Sequence, residues 1–398
     1  MSQRIRLAAW ILLTAVVLIA LVLPHRVAVS TSFPGYWLVG RLVLSGAEGV
    51  TLYDDAWLAA QLAAEGFPGD RMLGPPSLAL TLVPLAWLPY PVARSIFLVA
   101  VLTPALLGSL WWLSRRLAPW HGLVFAAAFA LSRPAEAGME VAQIYPVMLA
   151  LHCAGLWGWE QDRPLRGGLA LAPMMAIRGW HGLPNAAGWL VSGRWRGWLS
   201  ASIGTVALIG LSVPILGVAA WRFFFTTHLT QAAGAQTAYA LAYQTWRSLA
   251  LHLTTLDPVL SPDPPLAGLG STLWLSGVVV IGVVSLWAGR RQGRQPSGFA
   301  LWTAVALLLA PFAEDHQYVL AALPAAVAWA AAPWGRPVVL VALALLLPDW
   351  QFDRPELLGG WRALLAYPRV YGIGLLWLVL VSAPARPGGA PLPSTGAS

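Results

Sequence analysis

Long apolar blocks, separated by short segments that carry Arg or Pro and Gly, restrict what this chain can fold into more than any other feature. Charged residues make up only 10% of the 398 residues and hydrophobic residues 58%, whereas soluble domains usually carry about 25% charged residues. So few charges leave too little polar surface for a water-soluble fold. The pattern therefore predicts an all-α, polytopic integral membrane protein with about 12 transmembrane helices.

The predicted crossings follow the apolar blocks. We expect them at residues 7–24, 92–114, 119–132, 144–159, 167–178, 183–192, 197–217, 268–288, 298–312, 317–332, 337–348 and 369–383. The first crossing follows the basic residues Arg4 and Arg6 and is long enough to span a bilayer. A cleaved signal peptide is the alternative, but no clean small-residue cleavage pattern follows, so we favour a retained signal anchor.

Charge asymmetry predicts the orientation. With the N-terminus in the cytoplasm, the inner loops receive 13 of the 24 Arg but only two acids, Glu160 and Asp162, and the other face receives 14 of the 16 acids. This distribution follows the positive-inside rule and predicts a multi-pass protein of the plasma membrane. Nucleic acid is not an expected partner, because the basic residues are spread over loops rather than clustered on one domain. The inner Arg are Arg4, Arg6, Arg115, Arg116, Arg163, Arg166, Arg194, Arg196, Arg290, Arg291, Arg294, Arg336 and Arg386.

Many of the outer carboxylates lie in two large outer regions. The first, residues 25–91, contains helical patterns at 33–45 and 56–66 that we expect to lie on the membrane surface, and an apolar stretch at 77–88 that we expect to be embedded in the interface. The second covers about 219–267. Residues 1–383 thus form one transmembrane domain, and the tail at 384–398, rich in Pro, Gly, Ser and Ala, is expected to be disordered.

Several weak motifs occur in a characteristic order. Phe33-Pro34-Gly35-Tyr36-Trp37, Gly46 and Leu52-Tyr53-Asp54 look like "D-F-x-x-Y … G … L-Y-D", and Gly74-Pro75-Pro76 with Pro84-Leu85-Ala86-Trp87-Leu88-Pro89 looks like "Y-P-P … P-L-x-x-L-P". Gln143 lies where "G-Q-x-N" is expected, residues 177–184 where "I-K-x-x-P" is expected, Gln244-Thr245 where "N-Q-S" is expected, and residues 311–316 resemble "S-P-x-S-W-x-H-H". In this order and topology, about residues 5–380 resemble glycosyltransferase family 87, a polyprenyl-phosphate-dependent mannosyltransferase-like group of GT-C type.

The resemblance implies a function, but the chain departs from the family motifs at several positions. It implies transfer of a sugar, with mannose as one candidate, from a polyprenyl-phosphate donor to a lipid or glycan acceptor on the extracytoplasmic face. Ser32 stands where the family has an Asp that looks like the catalytic base. Ala142 replaces the Gly of "G-Q-x-N", Tyr145 replaces its Asn, and Arg178 replaces the Lys. The resemblance therefore supports the fold better than the activity.

Sugar transfer needs a base for the acceptor proton and cationic groups for the departing phosphate. The candidate catalytic residues are Asp54 and Asp55, which match "L-Y-D" but also suit a helix cap, and Asp315 and His316 with Glu314. Glu136 and Glu140 share one face if their loop is helical. Ser32 would need an activating partner to act as a base.

The candidate substrate-binding residues lie on the same predicted face. Arg178 and Arg247 are the leading phosphate ligands, because guanidinium matches paired phosphate oxygens, with Arg222 and Arg41 behind them. A snorkelling side chain is the alternative for Arg178. We expect His152 and Cys153 to be packing residues, and neither a metal nor another cofactor, since the acids lack partners at metal-ligand spacing. The other predicted substrate-binding residues are Tyr36, Gln143, His181 and Gln244.

Two alternatives stay open. One is a family member that has lost catalysis and binds a lipid carrier or a partner protein, which the Ser32 substitution suggests. The other is a transporter or flippase, which ranks last because the sequence has no evident inverted repeat and its charges gather at one face.

Overall fold

The computed structural model describes residues 3–26, 28–30, 32–68, 74–234, 242–350 and 354–385. Within these ranges the chain forms helices and no strand, with only an isolated bridge between Asp257 and Ser261. The predicted all-α class is therefore confirmed. Most of the tail predicted to be disordered, and Arg386 with it, lies outside the described residues.

Twenty α-helices make up the described chain. The first ten are α1 (Gln3–Val17), α2 (Phe33–Leu44), α3 (Asp55–Ala64), α4 (Pro76–Ala79), α5 (Val83–Ala86), α6 (Tyr90–Ile96), α7 (Thr103–Ser114), α8 (Pro119–Ala130), α9 (Arg133–Glu140) and α10 (Tyr145–Glu160). The others are α11 (Pro164–Ile177), α12 (Gly179–Val191), α13 (Trp195–Phe223), α14 (Leu229–Gly234), α15 (Trp246–Thr254), α16 (Gly270–Gln292), α17 (Pro296–Leu308), α18 (Ala322–Ala331), α19 (Arg336–Leu346) and α20 (Pro368–Ser382).

Short segments of other helical types extend several of these elements. Many helices begin at or just before a Pro, because the first turn has no use for the missing N–H. The helix α13 is interrupted at Gly217, whose φ of 80° is not helical, and the sequence predicted that crossing to end at 217. The π-helical turns are Leu18–Val22, Phe97–Leu102 and Phe224–His228, and the longer 3-10 segments are Asp315–Ala321 and Gly360–Ala366.

Each predicted crossing coincides with a helix, but only some of these helices are long enough to span a bilayer. In the described chain four are long and apolar enough, namely Gln3–Val22, Tyr90–Ser114, Trp195–Gln231 and Gly270–Gln292, and Gly360–Ala366 with Pro368–Ser382 would be a fifth, bent by 64°. Helices such as α8, at 12 residues, are about 18 Å long, against a hydrocarbon core of about 30 Å. The number of about 12 crossings therefore stays a prediction.

The core of the molecule is built around α17. Its residues from Ser297 to Leu308 are all buried, which is typical of a helix surrounded by other helices. It packs against α10, α12, α16, α18 and α20. Elsewhere, α11 and α13 approach so closely at Gly168 that a Cβ there would lie 2.0 Å from the Gly197 carbonyl oxygen.

Charged residues are sorted into two groups at opposite ends of α10. Arg116 pairs with Glu160 at the C-terminal end of α10, and Asp162 pairs with Arg194 at 2.9 Å and Arg294 at 3.0 Å. These Arg are among those assigned to the cytoplasmic face. The other group surrounds the first residue of α10, Tyr145, about 22 Å away along the helix. The sorting agrees with the charge count, whereas the cytoplasmic N-terminus and the plasma membrane stay predictions.

Helices also form where surface helices were expected in the first outer region. The patterns at 33–45 and 56–66 correspond to α2 and α3, while the apolar stretch at 77–88 forms two short helices, α4 and α5, rather than one. The fully buried Arg94 holds the region in place by donating to the His25 carbonyl at 2.7 Å, the Ser30 hydroxyl at 2.8 Å and the Glu140 carbonyl at 2.6 Å. The placement of these helices on the membrane surface stays a prediction.

Candidate active site

The centre of the candidate site is a helix break at Arg178. This residue separates α11 from α12 and has a non-helical conformation, with φ −147° and ψ 68°. Its side chain is only 9% exposed, and its Nη2 donates a hydrogen bond of 2.8 Å to the Tyr36 hydroxyl. No acidic group in the described ranges lies within 4 Å of it, and its Nε has no hydrogen-bond partner there.

Tyr36 joins Arg178 to a second predicted residue, Gln143. The Tyr36 hydroxyl donates to the Gln143 Oε1 at 2.6 Å, so one phenol orients both side chains. We call Tyr36, Gln143 and Arg178 the Arg178 cluster. They come from α2, from the turn between α9 and α10, and from the break between α11 and α12, so three segments that are distant in the sequence meet here.

The turn that carries Gln143 is strained. Ala142 has a φ of 50°, in the left-handed region that disfavours residues with a Cβ. The family pattern has Gly at this position. The sequence departure at Ala142 therefore falls where glycine would relieve strain.

An aromatic and histidine layer adjoins the Arg178 cluster. The ring of the buried Tyr145 lies 5.2 Å from the His181 ring and 5.1 Å from the His316 ring, measured between centroids. Both ring nitrogens of His181 are buried with no hydrogen-bond partner in the described chain, as is Oε1 of Gln317. Buried polar atoms normally have partners, so this layer is less fully hydrogen-bonded within the described chain than most protein interiors.

Glu314 and His316 lie at the edge of this layer. His316 Nδ1 is 3.7 Å from Glu314 Oε2. Burial, with the Arg178 charge adding to it, lowers the pKa of His316 to about 3, so the imidazole is neutral near pH 7. Burial raises the pKa of the Glu314 carboxyl; Arg178 opposes this effect and Asp315 adds to it. The Glu314 side chain is still 44% exposed, so solvent reaches the carboxyl and limits the rise in its pKa.

Asp315 faces a different partner. Its Oδ1 accepts a hydrogen bond of 2.6 Å from Nε of the fully buried Arg369, and its Oδ2 lies 3.7 Å from Arg133 Nε. Arg133 also pairs with Glu136 at 3.5 Å and Glu140 at 3.1 Å. We call Arg133, Asp315 and Arg369 the Arg369 cluster. Its ion pairs hold α9, the 3-10 segment and α20 together.

The structure does not bring the other predicted residues into contact with Arg178. Asp54 accepts a hydrogen bond of 3.0 Å from the Trp57 N–H and caps α3, and Asp55 is exposed in the first turn of that helix. Gln244 is buried, donating from its backbone to the Ala313 carbonyl and from Nε2 to the Ala366 carbonyl, both at 2.8 Å. It therefore braces the residue next to Glu314.

Three further residues singled out in the sequence are Arg247 and the predicted packing residues His152 and Cys153. The Arg247 guanidinium lies 5.9 Å from the centroid of the Trp274 ring on α16. His152 is buried and bonds through Nδ1 to the Met148 carbonyl at 2.9 Å, and Cys153 is buried as well. In the parts of the chain described, no group of three His, Cys, Asp or Glu side chains could hold a metal ion.

Sequence reasoning missed two residues of the site. Tyr145 was noted only as a departure from the family Asn, although its ring contacts both candidate histidines. Glu314 was named beside Asp315 but not chosen. Glu314 and Asp315 are adjacent in the sequence. Their different partners follow from the local geometry, because the 3-10 segment begins at Asp315.

Comparison with known proteins identifies the family. No curated protein and no solved structure matches the chain. The model of glycosyltransferase family 87 matches residues 73–311, a span that includes Gln143, Tyr145, Arg178 and His181 and ends just before Glu314. Since this match covers more than half of the chain, the chain belongs to glycosyltransferase family 87, a family of membrane glycosyltransferases.

Proposed function

We propose that this protein transfers a sugar, with mannose as one candidate, from a polyprenyl-phosphate donor to a lipid or glycan acceptor on the extracytoplasmic face. The observation that carries the proposal is the buried Arg178, which has a tyrosine for a partner but no carboxylate within 4 Å in the described chain. A buried charge without a counterion is costly. A phosphate group would supply the missing negative charge.

The proposed role of Arg178 is to bind and stabilise the departing phosphate. Guanidinium stays charged and can present two parallel N–H donors to two phosphate oxygens. Tyr36 and Gln143 fix its orientation through hydrogen bonds of 2.8 and 2.6 Å. Such preorganised donors stabilise charge that develops in the transition state, because they need little rearrangement during the reaction.

The proposed base is Glu314. In the reaction, the acceptor hydroxyl oxygen bonds to the anomeric carbon, the bond from that carbon to the phosphate oxygen breaks, and the acceptor proton passes to the carboxylate. Polyprenyl phosphate leaves with the bonding electrons. The raised pKa of Glu314 makes this carboxylate a better proton acceptor than an ordinary one. His316 is neutral and lies 3.7 Å from this carboxylate, which is beyond hydrogen-bond distance.

The position of Ser32 bears on the choice of Glu314 as the proposed base. Its carbonyl accepts the Tyr36 N–H at 3.2 Å, so Ser32 lies one helical turn before Tyr36, on the same side of α2. An Asp there would be near the Arg178 cluster, and Ser cannot replace it as a base without help. Among the described residues, Glu314 is an acid whose charge acts on Arg178.

The proposed extracytoplasmic face and the proposed lipid-linked donor are inferred from charge and composition. The Arg178 cluster belongs to the acid-rich group of residues, which the positive-inside rule assigns to the outside. A lipid-linked donor suits a site built among apolar helices, and the residues predicted for phosphate binding are Arg rather than a nucleotide loop.

A catalytically degenerate family member is the second candidate, because Ser32 occupies the place of the expected Asp. Such a protein would bind the lipid carrier through Arg178 without turnover. Ser32→Asp discriminates between the two: turnover gained from an inactive protein would indicate a degenerate enzyme, whereas an active protein unaffected by it would have its base elsewhere.

The direct test is a transfer assay with purified protein in liposomes. Polyprenyl-phosphate-mannose and other polyprenyl-phosphate sugars are supplied with an extract of lipid and glycan acceptors, and both transfer and hydrolysis are measured. We expect turnover, lowered about 10²-fold or more in Arg178→Gln, and unchanged in Arg362→Gln, whose side chain is exposed. If no donor were transferred, hydrolysed or bound, the proposal would be wrong.

A further inference from the structure

A cavity lies away from the candidate active site, between α1 and α7. Its volume is about 530 Å³, and its lining is mainly apolar except for two Arg and one Gln. The residues around it are Gln3, Arg6, Leu7, Trp10, Leu107, Gly108, Trp111 and Arg115.

The two Arg lie at the same end of this cavity. Arg6 belongs to the second turn of α1, and Arg115 directly follows the last residue of α7. From there α1 runs toward Trp10 and α7 runs back toward Leu107, so the walls become apolar with distance from the charges. Arg115 is next to Arg116, which pairs with Glu160, and this end of the molecule is therefore opposite to the candidate active site.

Neither of these Arg has a protein counterion in the described chain. No acidic oxygen lies within 4 Å of Arg6 or Arg115. The Arg115 guanidinium instead lies 5.0 Å from the centroid of the Trp111 ring. Two unpaired guanidinium groups beside one cavity favour an anionic ligand that carries more than one acceptor oxygen.

The apolar wall has space for a hydrocarbon chain. A Cβ built on Gly108 would meet no atom within 4 Å, although Gly108 lies in the middle of α7 and lines the cavity. An inorganic anion would make no use of the Leu and Trp side chains along this wall. A ligand with an anionic head and apolar tails fits both parts.

We propose that this cavity is a binding site for an anionic phospholipid, with the phosphodiester between Arg6 and Arg115 and an acyl chain along Leu7, Leu107 and Gly108. Basic pockets between membrane helices are known to select such headgroups. The site is independent of sugar transfer, and it would tie α1 to α7 through lipid in the leaflet at this end of the protein.

Native mass spectrometry of the purified full-length protein tests the proposal. The probes are palmitoyl-oleoyl phosphatidylglycerol and phosphatidylcholine, which share acyl chains and differ in headgroup charge. We expect at least tenfold higher retention of phosphatidylglycerol. The Arg6→Gln, Arg115→Gln double variant should lose this preference. The matched control, Arg166→Gln with Arg196→Gln, removes equal charge from exposed residues at the same end and should keep it.

Two further measurements separate a lipid site from a headgroup or charge effect. Gly108→Trp places a large side chain in the open space and should also lower phosphatidylglycerol retention about tenfold, while protein stability is preserved. Soluble glycerol phosphate should not displace the lipid at equal concentration. Equal retention of the two lipids, loss of preference in the control variant, full binding to Gly108→Trp, or displacement by glycerol phosphate would each overturn the proposal.

Discussion

Glu314 and Asp315 are adjacent in the sequence, yet they belong to two regions with opposite electrostatic character. Asp315 is bonded at 2.6 Å to Arg369 in the Arg369 cluster, where charges of both signs are matched. The charge of Glu314 acts instead on Arg178, whose guanidinium is held by Tyr36 and has no acid within 4 Å in the described chain. The two regions use the same residue types at the same end of the protein.

The difference separates a structural from a functional use of buried charge. In the Arg369 cluster the protein satisfies its own charges and gains cohesion between α9 and α20. In the Arg178 cluster the guanidinium has no acidic oxygen within 4 Å among the described residues, and we propose that a ligand supplies the opposite charge. Variants in the first region should therefore change stability, and variants in the second should change turnover.

Removing the Glu314 carboxylate should have the largest effect. We expect Glu314→Gln to lower kcat/KM for sugar transfer by about 10³-fold, the contribution typical of a general base, with little change in Tm. Asp54→Asn is the control, because Asn caps a helix as well as Asp does. If Asp54→Asn abolished transfer and Glu314→Gln did not, the base would be on α3.

The pH dependence of sugar transfer provides a second test of Glu314, because the direction of the change can be predicted. Glu314 must be ionised to accept the proton, and burial raises its pKa above the ordinary value. In wild-type protein kcat/KM should therefore be full above that raised pKa and fall as the pH drops through it. The residual activity of Glu314→Gln should lack this acidic limb. An unchanged limb in the variant would assign it to another group.

Disrupting the Arg369 cluster should lower stability rather than turnover. Arg369→Leu leaves Asp315 and the Pro348 carbonyl without their donor, at a cost of about 3 kcal/mol in the free energy of unfolding. Thermal unfolding in detergent measures the loss. Arg362→Leu, which removes an exposed Arg from the neighbouring 3-10 segment, should leave Tm within a degree or two. A fully stable Arg369→Leu protein that had lost transfer would contradict the structural role.

Loosening the Arg178 cluster should have an intermediate effect on activity. Tyr36→Phe removes the hydroxyl that bonds both Arg178 and Gln143 and leaves the packing of the ring intact. We expect kcat/KM to fall about tenfold, equivalent to about 1.4 kcal/mol. Steady-state kinetics on the variant, with equal protein folding checked by Tm, measures this change. An unaltered rate would mean that the orientation of Arg178 does not limit transfer.

The smallest expected effect is a gain in stability at Ala142. Because its φ is 50°, Ala142→Gly should raise the free energy of unfolding by about 1 kcal/mol. Ala137→Gly, within the helical part of α9, should lower it by a similar amount. A destabilised Ala142→Gly protein would show that the turn is not strained.

Much of the fold and part of the site could be predicted from the sequence. Apolar blocks gave a helix at every predicted crossing, because a long run of apolar residues in this composition has few other structures available. The motifs drew attention to Tyr36, Gln143 and Arg178 one by one, and the structure shows that they form one hydrogen-bonded cluster. The lengths of the crossings were harder to predict, because Pro and Gly residues such as Gly217 interrupt helices without a visible change in hydropathy. The choice between Glu314 and Asp315 depends on side-chain direction in one 3-10 turn, and the role of Asp54 as a cap depends on a single hydrogen bond.

If Arg178 binds the lipid-linked phosphate, as proposed, replacing it should weaken binding of the lipid carrier. Binding of polyprenyl phosphate to wild-type protein and to Arg178→Gln can be measured by thermophoresis in detergent, with Arg369→Leu as a comparison at a temperature where that variant is folded. We predict that Arg178→Gln binds at least tenfold more weakly and that Arg369→Leu binds as the wild type does. Equal affinity of wild type and Arg178→Gln would contradict the proposal.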